Sequence, residues 1–379
     1  MGNAADAVFD HEREEKMHLL KQEWKKLVTR DGFLAVFLLC FAVTLLILWN
    51  RVYRISYGDS FLPSQYCRVA DRVQNMTETE AEKYFSEEQQ EYDPVRSVIQ
   101  KEWRSAHNYE NYLDKIRSGG SGGLRGLGKN VYQERLQKKL QTKYREMDPA
   151  EVSFAGGRGV SLFCHTDVAD MMAVLMMLLI IFRLVVWEAE SGMDGINMAA
   201  RNGAAWLTRI KWAVGLMASA AVLLLVQLYK LRLYTSAYGF TGWNRVIQVL
   251  PEFVGVDRRI TVYWFVCVFL VCKTAGFLLL YTIFFWLACV GRSAVRTVIL
   301  YGLFTGVSLF TAYGISLSGY LAVLRYFSLA QCINQEMLLS GYHALKLFQY
   351  PVSYLGLWTA VSCVIFFVLA GLIFRSRIR

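Results

Sequence analysis

Histidine is scarce in this chain, five in 379 residues, which argues against a histidine-ligated metal enzyme. Cysteine, at eight, is far too sparse for a small disulfide scaffold. Charge is thin as well. Asp, Glu, Lys and Arg make up 19% of the residues and apolar types 55%, where soluble domains sit near about 25% and about 45–50%. That balance, with a mean hydropathy of +0.29, excludes disorder over most of the chain and leans toward the membrane.

The usual signs of chemistry are missing too. No paired-carboxylate, Ser-His-Asp or G-x-S-x-G arrangement is present. His11 and His18 lie ahead of the first apolar run and His343 lies in a remote loop, so they do not share a site. His165, with Cys164, Asp167 and Asp170, is a loose cluster that no metal-ligand spacing supports. Residues 123–130 read GLRGLGKN, which matches G-x-x-x-x-G-K. A phosphate loop needs a hydroxyl next, for magnesium, and a buried strand before it. Asn130 stands in the first place and SGGSGG in the second, so a flexible glycine linker is the better reading. The expectation is a chain with no catalytic, cofactor-binding or metal-ligating residue, and no enzyme.

What is present is a series of long apolar runs, at 32–49, 171–187, 212–229, 262–290, 298–324 and 352–374. About 20 residues at ~1.5 Å each span a ~30 Å hydrocarbon core. The first run lacks a small-residue cleavage site and reads as a retained anchor. The sequence therefore predicts an all-α integral membrane protein of six transmembrane helices, with a mostly helical extracellular domain between spans one and two. The expected division is an amphipathic cytoplasmic helix at 1–31, the first span at 32–50, the outer domain at 51–168 and spans two to six over 169–379. Both termini then lie on one side. With that side cytoplasmic, the inner segments carry 15 Lys/Arg and the two short outer loops seven, as the positive-inside rule requires. The large outer segment is nearly neutral, 18 basic against 17 acidic. Topology thus accounts for the net charge of +10, and nucleic-acid binding is not needed.

Within the outer domain, Asp93-Pro94 offers an N-cap and a first-turn proline. Apolar residues from Val95 to Ile116 then recur at helical spacing, and Gly119 ends the run. Thr77 with Glu80 fits a capping box, and Tyr132, Leu136, Leu140 and Tyr144 form a later stripe. Cys67 and Cys164, near the domain's two ends, are candidates for a stapling disulfide; two free thiols are the alternative. Lys273 lies deep in the fourth run. A charge there is expensive, so it lines a substrate path, snorkels or pairs with a neighbouring helix end. Residues 10–31 place Met17, Leu20, Trp24, Leu27 and Val28 on one face, as in a helix lying along the inner membrane surface.

The segment after the second run, 188–209, opens acidic and closes basic, complementing a helix dipole. Here the chain resembles the permease subunits of type-two ABC exporters. Many of these have E-x-E-x-G after the second span, then a small-residue helix, a glycine and a basic residue entering the third span. Glu188, Glu190, Gly192, Gly203, Leu207 and Lys211 fall at those places. The order of parts is similar along essentially the whole chain. Tyr109-x-x-Tyr112-Leu113-x-x-Ile116, Gly159-Val160 and the 243–263 stretch look like the bacterial subgroup with a large outer domain. Ala204 departs from it, where a basic residue is frequent.

The resemblance implies a bacterial plasma-membrane exporter subunit with both termini cytoplasmic. It holds no cofactor of its own; a separate cytoplasmic ABC ATPase would bind ATP. That ATPase would dock on 189–208 and the amphipathic helix. A second permease, identical or related, would complete the path through the lipid bilayer, with Lys273 a candidate path residue. The cargo would be unnamed, with peptides or toxins among the choices. A membrane sensor with an outer ligand-binding domain is the rival reading, and an integral-membrane enzyme ranks last.

Overall fold

The computed structural model describes residues 17, 20–25, 27, 32–53, 61–87, 94–118, 131–192, 203–310, 329–347 and 350–375. In chain order the helices begin with α1 (Phe33–Tyr53), α2 (Pro63–Gln74), α3 (Glu78–Glu87), α4 (Pro94–His107), α5 (Tyr109–Arg117) and α6 (Val131–Tyr144). Then come α7 (Arg158–Cys164), α8 (Val168–Ile181), a π-turn at Phe182–Val186 and α9 (Trp187–Glu190). The rest are α10 (Gly203–Ala237), α11 (Val262–Gly291), α12 (Ala294–Leu309), α13 (Leu329–Ile333), α14 (Glu336–Leu339) and α15 (Tyr354–Arg375). A two-stranded antiparallel hairpin, β1 (Ala344–Leu347) and β2 (Tyr350–Ser353), precedes α15.

Five segments are long and apolar enough to cross a membrane: α1, the Arg158–Glu190 run, Trp206–Ala237 within α10, α11 and α15. The chain is thus a predominantly helical, multi-pass membrane protein. The fifth expected span is represented by α12, a shorter apolar helix; 311–324 of that run lie outside the described residues. Burial separates centre from rim. About half of the second and fourth crossing segments is buried (56% and 50%), against 11% of α1 and 22% of α15. The runs α8, α10 and α11 therefore form the centre. On the rim, Leu39, Leu46, Val298, Leu303 and Phe367 stand exposed, as lipid-facing side chains must.

The helix boundaries differ from the sequence expectation in instructive ways. Lys230 sits past the end of the expected third span, yet α10 continues to Ala237. The single helix expected over 95–116 breaks at Asn108, where ψ turns to 3°. The second crossing starts early, as α7, then bends at 165–167 before Asp167 caps α8. Gly276, midway along α11, lets α13 approach: a Cβ there would lie 2.4 Å from the Cys332 carbonyl oxygen. Half of the predicted capping box forms: Glu80 Oε2 accepts from Thr77 N at 2.9 Å, and from Thr77 Oγ1 at 2.8 Å.

The polar helices α2–α6 gather at the bundle end where α8 and α11 begin and α10 finishes. Two later pieces join them. Strand β2 packs on α6, and the 247–253 turns pack on α4. Lys139 Nζ donates to the Pro351 carbonyl at 3.1 Å, and Gly255 pairs with Gly341. The domain is therefore assembled from three separated stretches of chain. Its centre is aromatic. Tyr66 donates to Glu102 Oε2 at 2.6 Å, and its hydroxyl accepts from Arg158 N at 3.4 Å. Burial, then the Glu102 charge, pushes the Tyr66 phenol well above its ordinary range. Burial raises Tyr109 to about 12 and lifts Tyr112 and Tyr144 as well.

Candidate functional site

Two groups of buried charge stand out, one at each end of the bundle. The larger lies at the domain end. Asp167 and Asp170 cap α8 reciprocally: Asp167 Oδ1 accepts from Ala169 N and Asp170 N, while Asp170 Oδ2 accepts from Asp167 N at 3.0 Å. The cap fixes both carboxylates at a helix N-terminus, which favours negative charge. Gln227 and Lys230, three apart, share a face of α10. Gln227 Nε2 donates to Asp170 Oδ1 at 2.6 Å. Lys230 Nζ lies 3.1 Å from Asp167 Oδ2 and 3.5 Å from Asp170 Oδ2, and donates to the His165 carbonyl at 2.6 Å. From α11, Lys273 Nζ reaches Asp170 Oδ1 at 2.7 Å. From α1, Arg51 comes within 3.6 Å of Asp167.

The side chains of Asp167, Asp170, Lys230 and Lys273 are at most 2% exposed. Isolated, each charge would cost several kcal/mol to bury, on the order of the penalty for a desolvated ion. Arranged as opposite charges within ion-pair distance, they join α8, α10 and α11, and Arg51 adds α1. In lipid, apolar burial gives helices no reason to associate, so such polar contacts and close packing decide the arrangement. The network continues into the domain. His165 Nδ1 meets Glu336 Oε2 at 2.7 Å, Arg158 meets Glu252 at 3.7 Å, and Ser161 Oγ donates to Glu252 at 2.5 Å.

At the opposite end, Glu188 pairs with Lys211, both buried, joining α9 to α10. Glu190 Oε1 accepts from the backbone N–H of Ala294, the first residue of α12, at 2.6 Å. Ser293 caps the same helix. Gly192 has φ +73°, a left-handed geometry that a side chain would strain, and the chain turns off the helix there.

The residues singled out in the sequence are thus partly brought together. Glu188 and Lys211 touch; Glu190 reaches α12, a contact the sequence does not announce. Gly203 and Leu207 lie in the first turns of α10, and 193–202 lie outside the described residues. Lys273 joins the domain-end network. Cys67 and Cys164 stand as free thiols: Cys67 Sγ donates to the Ala237 carbonyl at 3.5 Å, and Cys164 is buried. Arg183 is buried in the π-turn with its guanidinium 5.1 Å from the Trp187 ring centroid. Sequence reasoning missed Lys230, Gln227 and Arg51. A lysine three residues past a glutamine, in a run that stays helical, was the available signal.

Among the described residues no group of three or more His, Cys, Asp or Glu is placed to hold a metal ion. Neither charge group resembles a nucleophile with its base; both are set up to join helices. No family model, curated protein or solved structure matches the chain.

Proposed function

We propose that this chain is the permease subunit of a bacterial ABC exporter, driven by a separate cytoplasmic ATPase and working beside a second permease. The observation that carries the reading is the pattern of contacts around 193–202. That stretch begins just after Glu188 and Glu190 and ends just before Lys211. A push on it reaches α10 through the Glu188–Lys211 pair and α12 through Glu190 and Ala294. A soluble motor could therefore move two spans from one docking point. In this reading the Glu188 side chain is a transmission contact rather than part of the docking face, since it is buried.

The six-span arrangement, cytoplasmic termini and outward-facing domain belong to the same proposal, supported by the positive-inside count. Gly302 and Gly306 of α12 are exposed, and a Cβ at either would meet nothing within 4 Å. Small residues four apart on an open apolar face suit close packing of a second permease. Lys273 and Asp170 would flank the path.

A sensor reading is favoured by the continuity of domain and network through Arg158–Glu252 and His165–Glu336, which would carry a domain signal inward. Purification of the full chain in mild detergent separates the readings. The exporter predicts a co-purifying ATPase that is lost when Gly192 is replaced by a bulky basic residue. Absence of any ATPase would overturn the exporter. An ATPase that binds without cargo movement would support the sensor.

A further inference from the structure

A cavity of about 530 Å³ opens between α1 and the corner leading into α8. Its polar end is formed by Asn50, Arg51 and Thr166, and its apolar wall by Ile47, Val168 and Met171. Val168 and Met171 are half exposed, at 50% and 52%, so the cavity faces sideways, where lipid surrounds the bundle. Thr166 Oγ1 is buried and makes no hydrogen bond among the described residues. Asp167 also borders the polar end, but its side chain is 2% exposed and lies between Lys230 and Arg51. Lys230 and Arg51 offset its charge.

We propose that this groove binds one phospholipid through its phosphate diester. The guanidinium, amide and hydroxyl can each donate, and a phosphate diester only accepts. The apolar wall runs from that corner toward the middle of the bundle, the direction an acyl chain takes from its head group. A snorkelling arginine would accept any polar surface. Asn50, Arg51 and Thr166 line the polar end of an apolar slot, a set of donors that suits phosphate on a chain. The site requires only that the bundle lie in lipid, and it stands whether or not an ATPase binds.

The test uses the full chain, delipidated in mild detergent and offered matched-chain lipids, with retention read by native mass spectrometry. Phosphatidylethanolamine and phosphatidylglycerol should each be retained at one per chain. A phosphate-free diglucosyl diacylglycerol should be retained about tenfold less, the loss of one charge-assisted hydrogen bond. Arg51→Gln and Met171→Trp should each reduce retention by about the same factor. Met171 is half exposed, so its variant tests the slot without disturbing the buried network. Millimolar inorganic phosphate should not displace the lipid. Equal retention of the glycolipid would reduce the site to an apolar crevice and overturn the proposal. So would displacement by free phosphate, or unchanged retention in a Met171→Trp chain that elutes as the parent does.

Discussion

At the domain end of the bundle, Asp167 is approached by Lys230 and Arg51, and Asp170 by Lys273, Lys230 and Gln227. At the opposite end the contacts run pairwise, Glu188 with Lys211 and Glu190 with the Ala294 amide. Both ends bury charge in a setting where charge is costly. They differ in redundancy. Where two carboxylates share several partners, α8 and α10 cannot part without breaking more than one contact, and Lys273 and Arg51 tie in α11 and α1. At the Glu188–Glu190 end the described ties are one ion pair to α10 and one backbone cap on α12. The comparison casts the domain end as an anchor and the Glu188–Glu190 end as the part that moves, which is the division a force-driven transporter or a signalling protein needs.

The most direct way to break the comparison is Asp170→Leu. It strands Lys273 and crowds Lys230, and removing one partner of a buried pair costs about 3–5 kcal/mol. The expected result is the largest loss of thermal stability of any variant here, read by unfolding of the detergent-purified chain. Adding Lys273→Met should recover part of that loss, because the double variant no longer leaves a buried cation facing nothing. A loss below about 1 kcal/mol for Asp170→Leu would mean the network anchors nothing.

Next comes Lys211→Met, which leaves Glu188 buried beside an apolar chain. The expected cost is about 3 kcal/mol, the lower end of the range for a broken buried pair. Glu188→Leu with Lys211→Met should restore most of the stability, since apolar pairs often replace buried ion pairs without loss. If the pair transmits movement, partner ATPase stimulation should stay lost in the restored double variant. Recovery of both together would make the pair purely structural.

How far the anchor extends into the domain is tested at Tyr66. Tyr66→Phe removes a hydrogen bond to a buried carboxylate, worth about 1.5–3 kcal/mol. The pH dependence has a defined sign. Tyr66, Tyr109, Tyr112 and Tyr144 are all raised above 10.0 in the fold. Above that pH the unfolded chain gives up phenolic protons that the folded chain keeps. Their stabilising effect is thus complete below pH 10 and should decline as pH rises past it, through about 12 for Tyr109. Thermal scans between pH 8 and 12 should show that decline, shallower in Tyr66→Phe. A flat profile would place these phenols in water rather than in the domain core.

Part of the anchor was legible in the sequence, and its reason shows why the rest was not. Lys273 announced itself because a lysine between Cys272 and Thr274 interrupts an apolar run, and burial cost makes any such interruption informative. Asp167 and Asp170 were visible as neighbours of His165 but carried no sign of their partners. Ion pairing across helices depends on helix rotation and depth, which periodicity does not fix. Lys230 was hidden differently: it lies where hydropathy falls, so it read as loop charge while α10 carried it, buried, into the bundle. The domain's three-piece construction was equally hidden. Nothing in 247–253 or 344–353 marks them as partners of α4 and α6, because such contacts join residues over a hundred positions apart. The E-x-E spacing was legible through resemblance alone, and the inward turn of Glu188 needed coordinates.

The smallest expected effect sharpens the comparison most. Glu190 is exposed, and its one described contact is with a helix N-terminus. Glu190→Gln keeps an acceptor for the Ala294 amide and removes only the charge, so stability should fall by about 0.3–1 kcal/mol. Glu190→Lys places a cation against the same positive helix end and should cost more than the neutral change. Neither should disturb the domain-end network. If the moving end works by holding α12 through this cap, partner ATPase stimulation should decline from glutamate to glutamine to lysine, out of proportion to the stability lost. A decline that merely follows stability would leave Glu190 as an ordinary cap. The transmission would then rest on Glu188 and Lys211 alone, and α10 rather than α12 would be the helix that is driven.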